Sequence, residues 1–277
     1  MDNKKINQEI FVKLNVIGTY KAGDSVIHKL DPRIKLCLSF ALMILVFFLR
    51  SPLALGMYGL FTFTLVLLAK MNLKRVFNSI KPILFILSFA FIINIFTVPG
   101  ESIWSWGFLS ISREGLYSGI LVSVRLILLT IQTNVLISYT TSSLLLADAI
   151  ESLLSPLKKI NVPVQDFALM ISIALRFVPT LAEEADKIMK AQSARGANYD
   201  TGKLKDKIKG MITILVPLFV NAVKRSEELA IALEARAYGI SPIRTKYKPL
   251  KLGWNDLIFS VCSIFVIVLI IVLEIFF

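Results

Sequence analysis

Five stretches of this chain stay apolar for close to the thickness of a lipid bilayer, and they leave few folds open. They run over Ile34–Leu49 (IKLCLSFALMILVFFL), Pro52–Ala69, Ile83–Val98, Leu116–Ile137 and Trp254–Phe277. A helix that crosses the hydrocarbon needs roughly 20 apolar residues, with a tolerance of about 17–25. The third run falls slightly below that range, so it is read as short or as borrowing flanking residues. Lys35 and Arg50 flank the first run and are expected to snorkel to the two interfaces. Three residues, Arg50-Ser51-Pro52, join the first run to the second, so these helices should be antiparallel neighbours. The hydrophobic content of 56% exceeds the about 45–50% usual for a soluble domain. The excess sits in the runs, which points to membrane spans rather than to a large soluble core.

The formal net charge is +12, from 31 Lys and Arg against 19 Asp and Glu. Nucleic-acid binding and basic cytoplasmic loops both produce such an excess. With so many apolar runs the loops are the better reading, and no nucleic-acid partner is expected. The segment after the second run holds Lys70, Lys74, Arg75 and Lys81 and no acid, so it reads as cytoplasmic. The segment after the third holds Glu101, Trp104, Trp106, Arg113 and Glu114, and reads as extracellular with aromatic residues at the interface. The N-terminus is then inside, and the chain is inside again near residue 139. The first run begins too far into the chain for a cleavable signal. Cys37 and Cys262 lie within apolar runs and His28 stands alone, so neither a disulfide framework nor a metal site is expected. No glycine-rich phosphate loop is present, and the chain is not expected to bind ATP.

Residues Thr141 to Gly253 differ from the rest. They are helical in pattern and rich in both charge signs, with Lys203, Lys205, Lys207 and Lys209 in their middle, read as a solvated face. Two apolar patches, Phe167–Ala182 and Met211–Val223, are interrupted by Pro179 and Pro217. Both read as helices lying against the membrane or against other apolar helices. The alternative is that the pair makes two further crossings, which would preserve the orientation of the last apolar run.

Two helices here end alike. One runs from Leu181 to Ala194-Arg195-Gly196, the other from Val223 to Ala235-Arg236-Ala237. Both are Ala-rich, which favours helix, and Gly196 and Gly239 are natural stops. Arginine near a helix C-terminus is favoured by the macrodipole in any case. Small neighbours, however, let such an end enter a groove, where a guanidinium makes forked hydrogen bonds to a carboxylate or to backbone oxygens.

The order and spacing of four segments carry a resemblance that covers nearly the whole chain. They are Ser25-Val-Ile-His-Lys-Leu-Asp-Pro-Arg-Ile-Lys35, Arg176-Phe-Val-Pro-Thr-Leu-Ala-Glu-Glu184, Ala194-Arg195-Gly196 and Ala235-Arg236-Ala237. The chain resembles the transmembrane coupling (T) subunits of energy-coupling factor (ECF) transporters, the EcfT/CbiQ family. Ala237 stands where an Ala-Arg-Gly reading wants glycine, and only small size is expected to matter there.

The resemblance implies an all-α polytopic membrane protein. Residues 1–140 would form an N-terminal transmembrane domain of about four helices. Residues 141–253 would form a cytosolic or membrane-surface coupling domain, inserted before the last transmembrane helix at 254–277. It further implies the cell membrane of a prokaryote, with the N-terminus and the coupling domain cytoplasmic. Two ABC-type ATPases (EcfA and EcfA') would each take one arginine-bearing end, docking Ala194, Arg195, Gly196, Ala235, Arg236 and Ala237. An exchangeable membrane S component would rest on the apolar patches, through Phe167, Met170, Ile171, Leu175, Leu215, Leu218 and Phe219. ATP and Mg would be bound by the ATPases, leaving this subunit without cofactor, metal or catalytic residue. The implied function is vitamin or micronutrient import, the alternative a dedicated cobalt or nickel importer.

Other polar residues fall within the runs. Arg125 is read as a packed arginine satisfied by nearby carbonyls or an acid, against a functional role. Asn94, Gln132 and Asn134 are read as interhelical hydrogen-bond glue. Asp31 and Pro32 should set the start of the first span. A membrane-embedded hydrolase would need convergent His, Cys, Asp or Ser groups in the spans. The only acids in the runs are Asp256 and Glu274, both in the last one, which argues against it.

Overall fold

The structure is a computed structural model. It describes residues 20, 23–106, 109–160, 162–196, 204–239, 250 and 252–276, and of residues 102–106, 109–111 and 204–206 the backbone alone. Lys203 and the side chains of Trp104, Trp106 and Lys205 lie outside the described residues. The chain divides into two compact units, Met1–Lys159 with Leu250–Phe277, and Ile160–Pro249.

The first unit holds helices α1 (Val26–Lys29), α2 (Pro32–Phe48), α3 (Pro52–Leu68), α4 (Leu73–Ile80) and α5 (Leu84–Thr97). After strands β1 (Ser102–Trp106) and β2 (Leu109–Ser112) come α6 (Arg113–Thr133), α7 (Ser143–Leu154) and, after the second unit, α10 (Trp254–Phe276). The antiparallel hairpin of β1 and β2 was not expected from the sequence, and it is a small addition to an all-α polytopic architecture. A 3₁₀ turn joins α4 to α5, so the third run does borrow its flank: Leu73–Thr97 is 25 residues long. Leu73–Thr97, Arg113–Tyr139, Val164–Ala194 and Trp254–Phe276 are each long and apolar enough to cross a membrane. Helices α2 and α3 have 17 residues each, about 25 Å, at the lower limit for a span.

The unit is apolar outside as well as in. On α2 the inward face is Leu38, Leu42, Leu45 and Val46, while Phe40, Ile44, Phe47 and Phe48 on the outer face are exposed. A helix apolar on all sides is stable only in a larger core or in lipid. The polar groups go inward instead. Gln132 on α6 accepts a hydrogen bond from the Tyr58 hydroxyl (3.3 Å) and donates to Ser39 Oγ (3.2 Å), tying α3, α6 and α2 together. Asn94 and Asn134 do not act this way. Their amides donate to the carbonyls of Ala90 and Thr130, four residues back on their own helices. That local bond satisfies a half-buried amide without needing a partner helix. Helix α5 packs on α6 through glycines: a Cβ at Gly115 would lie 2.8 Å from the Ile95 carbonyl oxygen. Small residues of this kind let membrane helices approach closely.

Acidic and basic side chains meet backbone groups around both ends of α2. At its start, Asp31 caps the helix by accepting from Arg33 N, with Pro32 in the first turn, as the sequence predicts. Asp256 on α10 accepts from Asp31 N and from Gly253 N, both at 2.7 Å. Lys35 does not snorkel. It is 2% exposed, and its ammonium donates to the carbonyls of His28 and Thr140 and to the Thr141 hydroxyl. The ammonium lies beside one carbonyl oxygen of α1 and two oxygens just past the π-helical turn (Asn134–Tyr139) that extends α6, and these outweigh a route to water. At the far end, Arg125 Nη2 donates to the Leu49 carbonyl, and Glu274 on α10 accepts from Arg50 N (2.8 Å) and Ser51 N (3.1 Å). Helix termini leave carbonyls and amides without partners, and here a cation meets the carbonyl and an anion meets the amides. The spacing agrees: Lys35 to Leu49 is fourteen residues and Arg125 to Thr140 is fifteen, both about 21–22 Å of helix. Helix α10 is thus fastened to both ends of α2 and runs parallel to it.

An unsatisfied buried amide costs about 1–3 kcal/mol. Asp256→Ala strips two amides of their acceptor, so thermal unfolding in detergent should show a loss of about 2–4 kcal/mol. Glu274→Gln keeps an amide oxygen for the same N–H groups and should cost less than half as much. Equal melting temperatures for all three proteins would contradict the fastening.

Candidate functional site

Among its described residues the second unit holds two long helices, α8 (Val164–Ala194) and α9 (Leu204–Ala235). Both apolar patches are helical, as read from the sequence, and each runs without a break through Pro179 or Pro217 into the arm that follows it. Proline removes one helical hydrogen bond and crowds the preceding turn, a local cost that a long helix with packing on one side absorbs. The two helices meet through Glu184, which accepts from Asn221 Nδ2 at 2.6 Å and lies 3.4 Å from Arg225 Nη2. Arg195 is eleven residues beyond Glu184, and Arg236 is eleven residues beyond Arg225. Each arginine therefore ends an arm of about 16 Å measured from the same clamp.

The two ends share one backbone design. Arg195 is the C-cap of α8, its N–H bonded to the Gln192 carbonyl at 3.1 Å. Gly196 follows in the left-handed region at φ 87°, its N–H on the Ser193 carbonyl. Arg236 holds the same position in α9. Ala237 follows at φ 59°, its N–H on Glu234 O at 2.9 Å, and Tyr238 N reaches back to Leu233 O at 3.0 Å. That bond pair is the Schellman closure of a helix. The stop of the second helix is therefore Ala237, and Gly239 (φ 91°) shapes a later turn. The left-handed backbone corrects the expectation that only small size matters at 237. A left-handed alanine carries a cost of about 1–2 kcal/mol that glycine avoids.

Ala194, Arg195, Gly196, Ala235, Arg236 and Ala237 are all exposed. Among the described residues neither guanidinium forms a hydrogen bond or an ion pair. Each is displayed at the end of an Ala-rich arm, next to carbonyls that the C-cap leaves open. Of the seven apolar residues singled out, Phe167, Met170, Ile171, Leu215 and Phe219 are exposed, while Leu175 and Leu218 are half-buried. On α9 the exposed set extends as a stripe through Ile208, Met211, Ile212, Leu215, Phe219 and Val223, at helical spacing. Among the described residues no three His, Cys, Asp or Glu side chains converge as metal ligands would.

These features define a polytopic helical membrane protein with a two-helix charged unit inserted before its last span. Residues 23–247 match the model of the family described as CbiQ, cobalt transport protein. Relatives named energy-coupling factor transporter transmembrane protein EcfT are similar over most of their length. The one from Ruminiclostridium cellulolyticum is 46% identical over 93% of this chain and 96% of its own. Those from Acidaminococcus fermentans and Bacillus subtilis are 43% and 44% identical over 87% of this chain, and over 89% and 90% of theirs. The chain belongs to the EcfT/CbiQ family of ECF transporter transmembrane proteins.

The cap geometry has a measurable consequence. Ala237→Gly should slow amide exchange in the last turn of α9 about fivefold, a gain of about 1 kcal/mol. Gly196→Ala should speed exchange at the end of α8 by a similar factor, since open space around it leaves only the backbone cost. Unchanged exchange at both ends would contradict the left-handed caps.

Proposed function

We propose that this chain is the coupling subunit of an ECF importer for vitamins or related micronutrients. Each of two cytosolic ATPases of the ABC type (EcfA and EcfA') holds one arginine-bearing helix end, and these ATPases bind and hydrolyse Mg-ATP. Their closing and opening moves the two arms, and the arms tilt an exchangeable S component that carries the substrate. The chain itself performs no catalysis. The observation that carries this reading is the equivalence of the two ends: the same C-cap position, the same left-handed closure and the same distance from the Glu184 clamp. A pair of like sites suits a pair of like partners. The apolar stripes of α8 and α9 fit a membrane partner, since exposed apolar area of this extent marks interaction surfaces.

The arms belong on the cytoplasmic side of the cell membrane. Leu153 and Leu252 line one groove with Arg33, which supports an even number of crossings between them. Helix α8 is long and apolar enough to cross, whereas α9 is not among the candidate spans. One crossing alone would break the parity, which favours none and supports two helices lying at the surface. The basic segment with Lys70, Lys74 and Arg75 makes that end cytoplasmic by the charge rule.

Loss of one partner in a buried interfacial charge pair costs about 2–5 kcal/mol. Arg195→Glu or Arg236→Glu should each reduce uptake, and the double variant should abolish it at normal expression. Full uptake by the double variant would refute the coupling role. Co-purification separates the two substrate readings. Several alternative S components support vitamin or micronutrient import, and one constant metal-specific partner supports a cobalt or nickel system.

A further inference from the structure

Between α2 and α10, on the outer surface of the first unit, runs a groove of about 400 Å³. Its walls are Ile34, Cys37 and Ala41 of α2 and Ser260, Ile264 and Ile267 of α10, with Leu153 of α7 closing one side. Arg33 stands at one end. A second hollow of about 410 Å³ continues it past Trp254, Leu257 and Leu252. The polar groups gather towards one end, with the Arg33 guanidinium and the Asp256 carboxylate at the top, the Ser260 hydroxyl next, and the Cys37 thiol and apolar side chains below.

The depth has a natural measure. From Leu257 to Ile267 is ten residues, about 15 Å of helix, which is half of the roughly 30 Å hydrocarbon. The top lies at the interface, where Trp254 is 82% exposed beside the start of α10. Tryptophan in such a position marks the headgroup level. At that level Arg33 is fixed in place. Its Nη2 donates to the Leu250 carbonyl at 3.0 Å, its Nε lies 3.7 Å from Asp31 Oδ1, and its side chain is 28% exposed. Those contacts leave part of a five-donor fork open. Asp31 and Asp256 balance Arg33 and Lys35, and both acids also accept from backbone amides. Recognition here therefore rests on directed N–H donors rather than on net charge.

We propose that this groove seats one phospholipid, with an acyl chain along the α2–α10 seam and its phosphodiester on Arg33. A planar guanidinium suits the paired oxygens of a phosphodiester, to which it can donate two parallel hydrogen bonds. One apolar leaflet depth beneath it suits a single chain. The lipid would fill the seam that fastens the last span to the first, and would make the bilayer part of that joint.

The purified full-length protein, stripped with detergent and incubated with phosphatidylglycerol, provides the test by native mass spectrometry. One lipid should stay bound. Ala41→Phe, which fills the groove from an exposed position, should cut retention at least tenfold. Arg33→Gln should do the same, Arg33→Lys should restore part of it, and diacylglycerol with the same chains should not be retained. Bound lipid should also slow maleimide labelling of Cys37, which lines the groove, and leave Cys262 unaffected. Both thiols are free and exposed. The Cys37 measurement stands even where a variant folds poorly. Equal retention by Ala41→Phe, equal retention of diacylglycerol, or Cys37 protected only when protein partners are bound would each overturn the proposal.

Discussion

Everything in the membrane unit is referred to one short helix whose two ends are tied by charged side chains to the rest of the unit. Asp256 accepts from the backbone at the start of α2, Arg125 and Glu274 meet backbone groups at its end, and its own Lys35 reaches carbonyls of α1 and of the segment after α6. In hydrocarbon an unpaired carbonyl or amide has no water to turn to. A charged side chain alone is costly there too. Each problem offsets the other: the cations take carbonyls and the anions take amides. Two of the four charges come from the last helix, more than 200 residues further along the chain, so the ends of the sequence close the unit.

That closure fixes where the chain re-enters this unit: α10 runs parallel to α2 and is fastened to it at both ends, so it starts at the Asp31 end of α2. The Glu184 clamp then sets the geometry within the insertion, by holding α8 and α9 at positions equally far from the two arginines. The proposed role comes from the pairing: two like cationic ends, joined at one clamp, are suited to carry the motion of a paired partner.

Much of this is legible in the sequence. The third, fourth and last apolar runs mark helices long and apolar enough to span, Asp31-Pro32 marks the start of α2, and the repeat of Ala-Arg before a small residue marks both arm ends. Arg125 meets a carbonyl, as a packed intramembrane arginine should. What the sequence conceals is long-range pairing. Lys35 looks like an interfacial anchor because nothing local tells that Thr140 will lie above it. Asp256 and Glu274 look like incidental acids in the last run, although an ionised group within a span is itself a signal worth following. Asn94 and Asn134 look like Gln132, but a short amide side chain can return to its own helix, while the longer Gln132 reaches Ser39 and Tyr58. Ala237 hides a left-handed backbone because alanine is chosen there against its own preference.

The coupling role depends most on where the two arm ends go in the assembled transporter. Arg195→Cys and Arg236→Cys, each placed in a Cys37→Ser, Cys262→Ser background, can be treated in native membranes with a short thiol-to-amine cross-linker. Both should give an adduct with an ATPase subunit, one subunit per arm, and the yield should change when ATP is added. Free labelling of both positions by a water-soluble maleimide, with no ATPase adduct at either, would contradict that role.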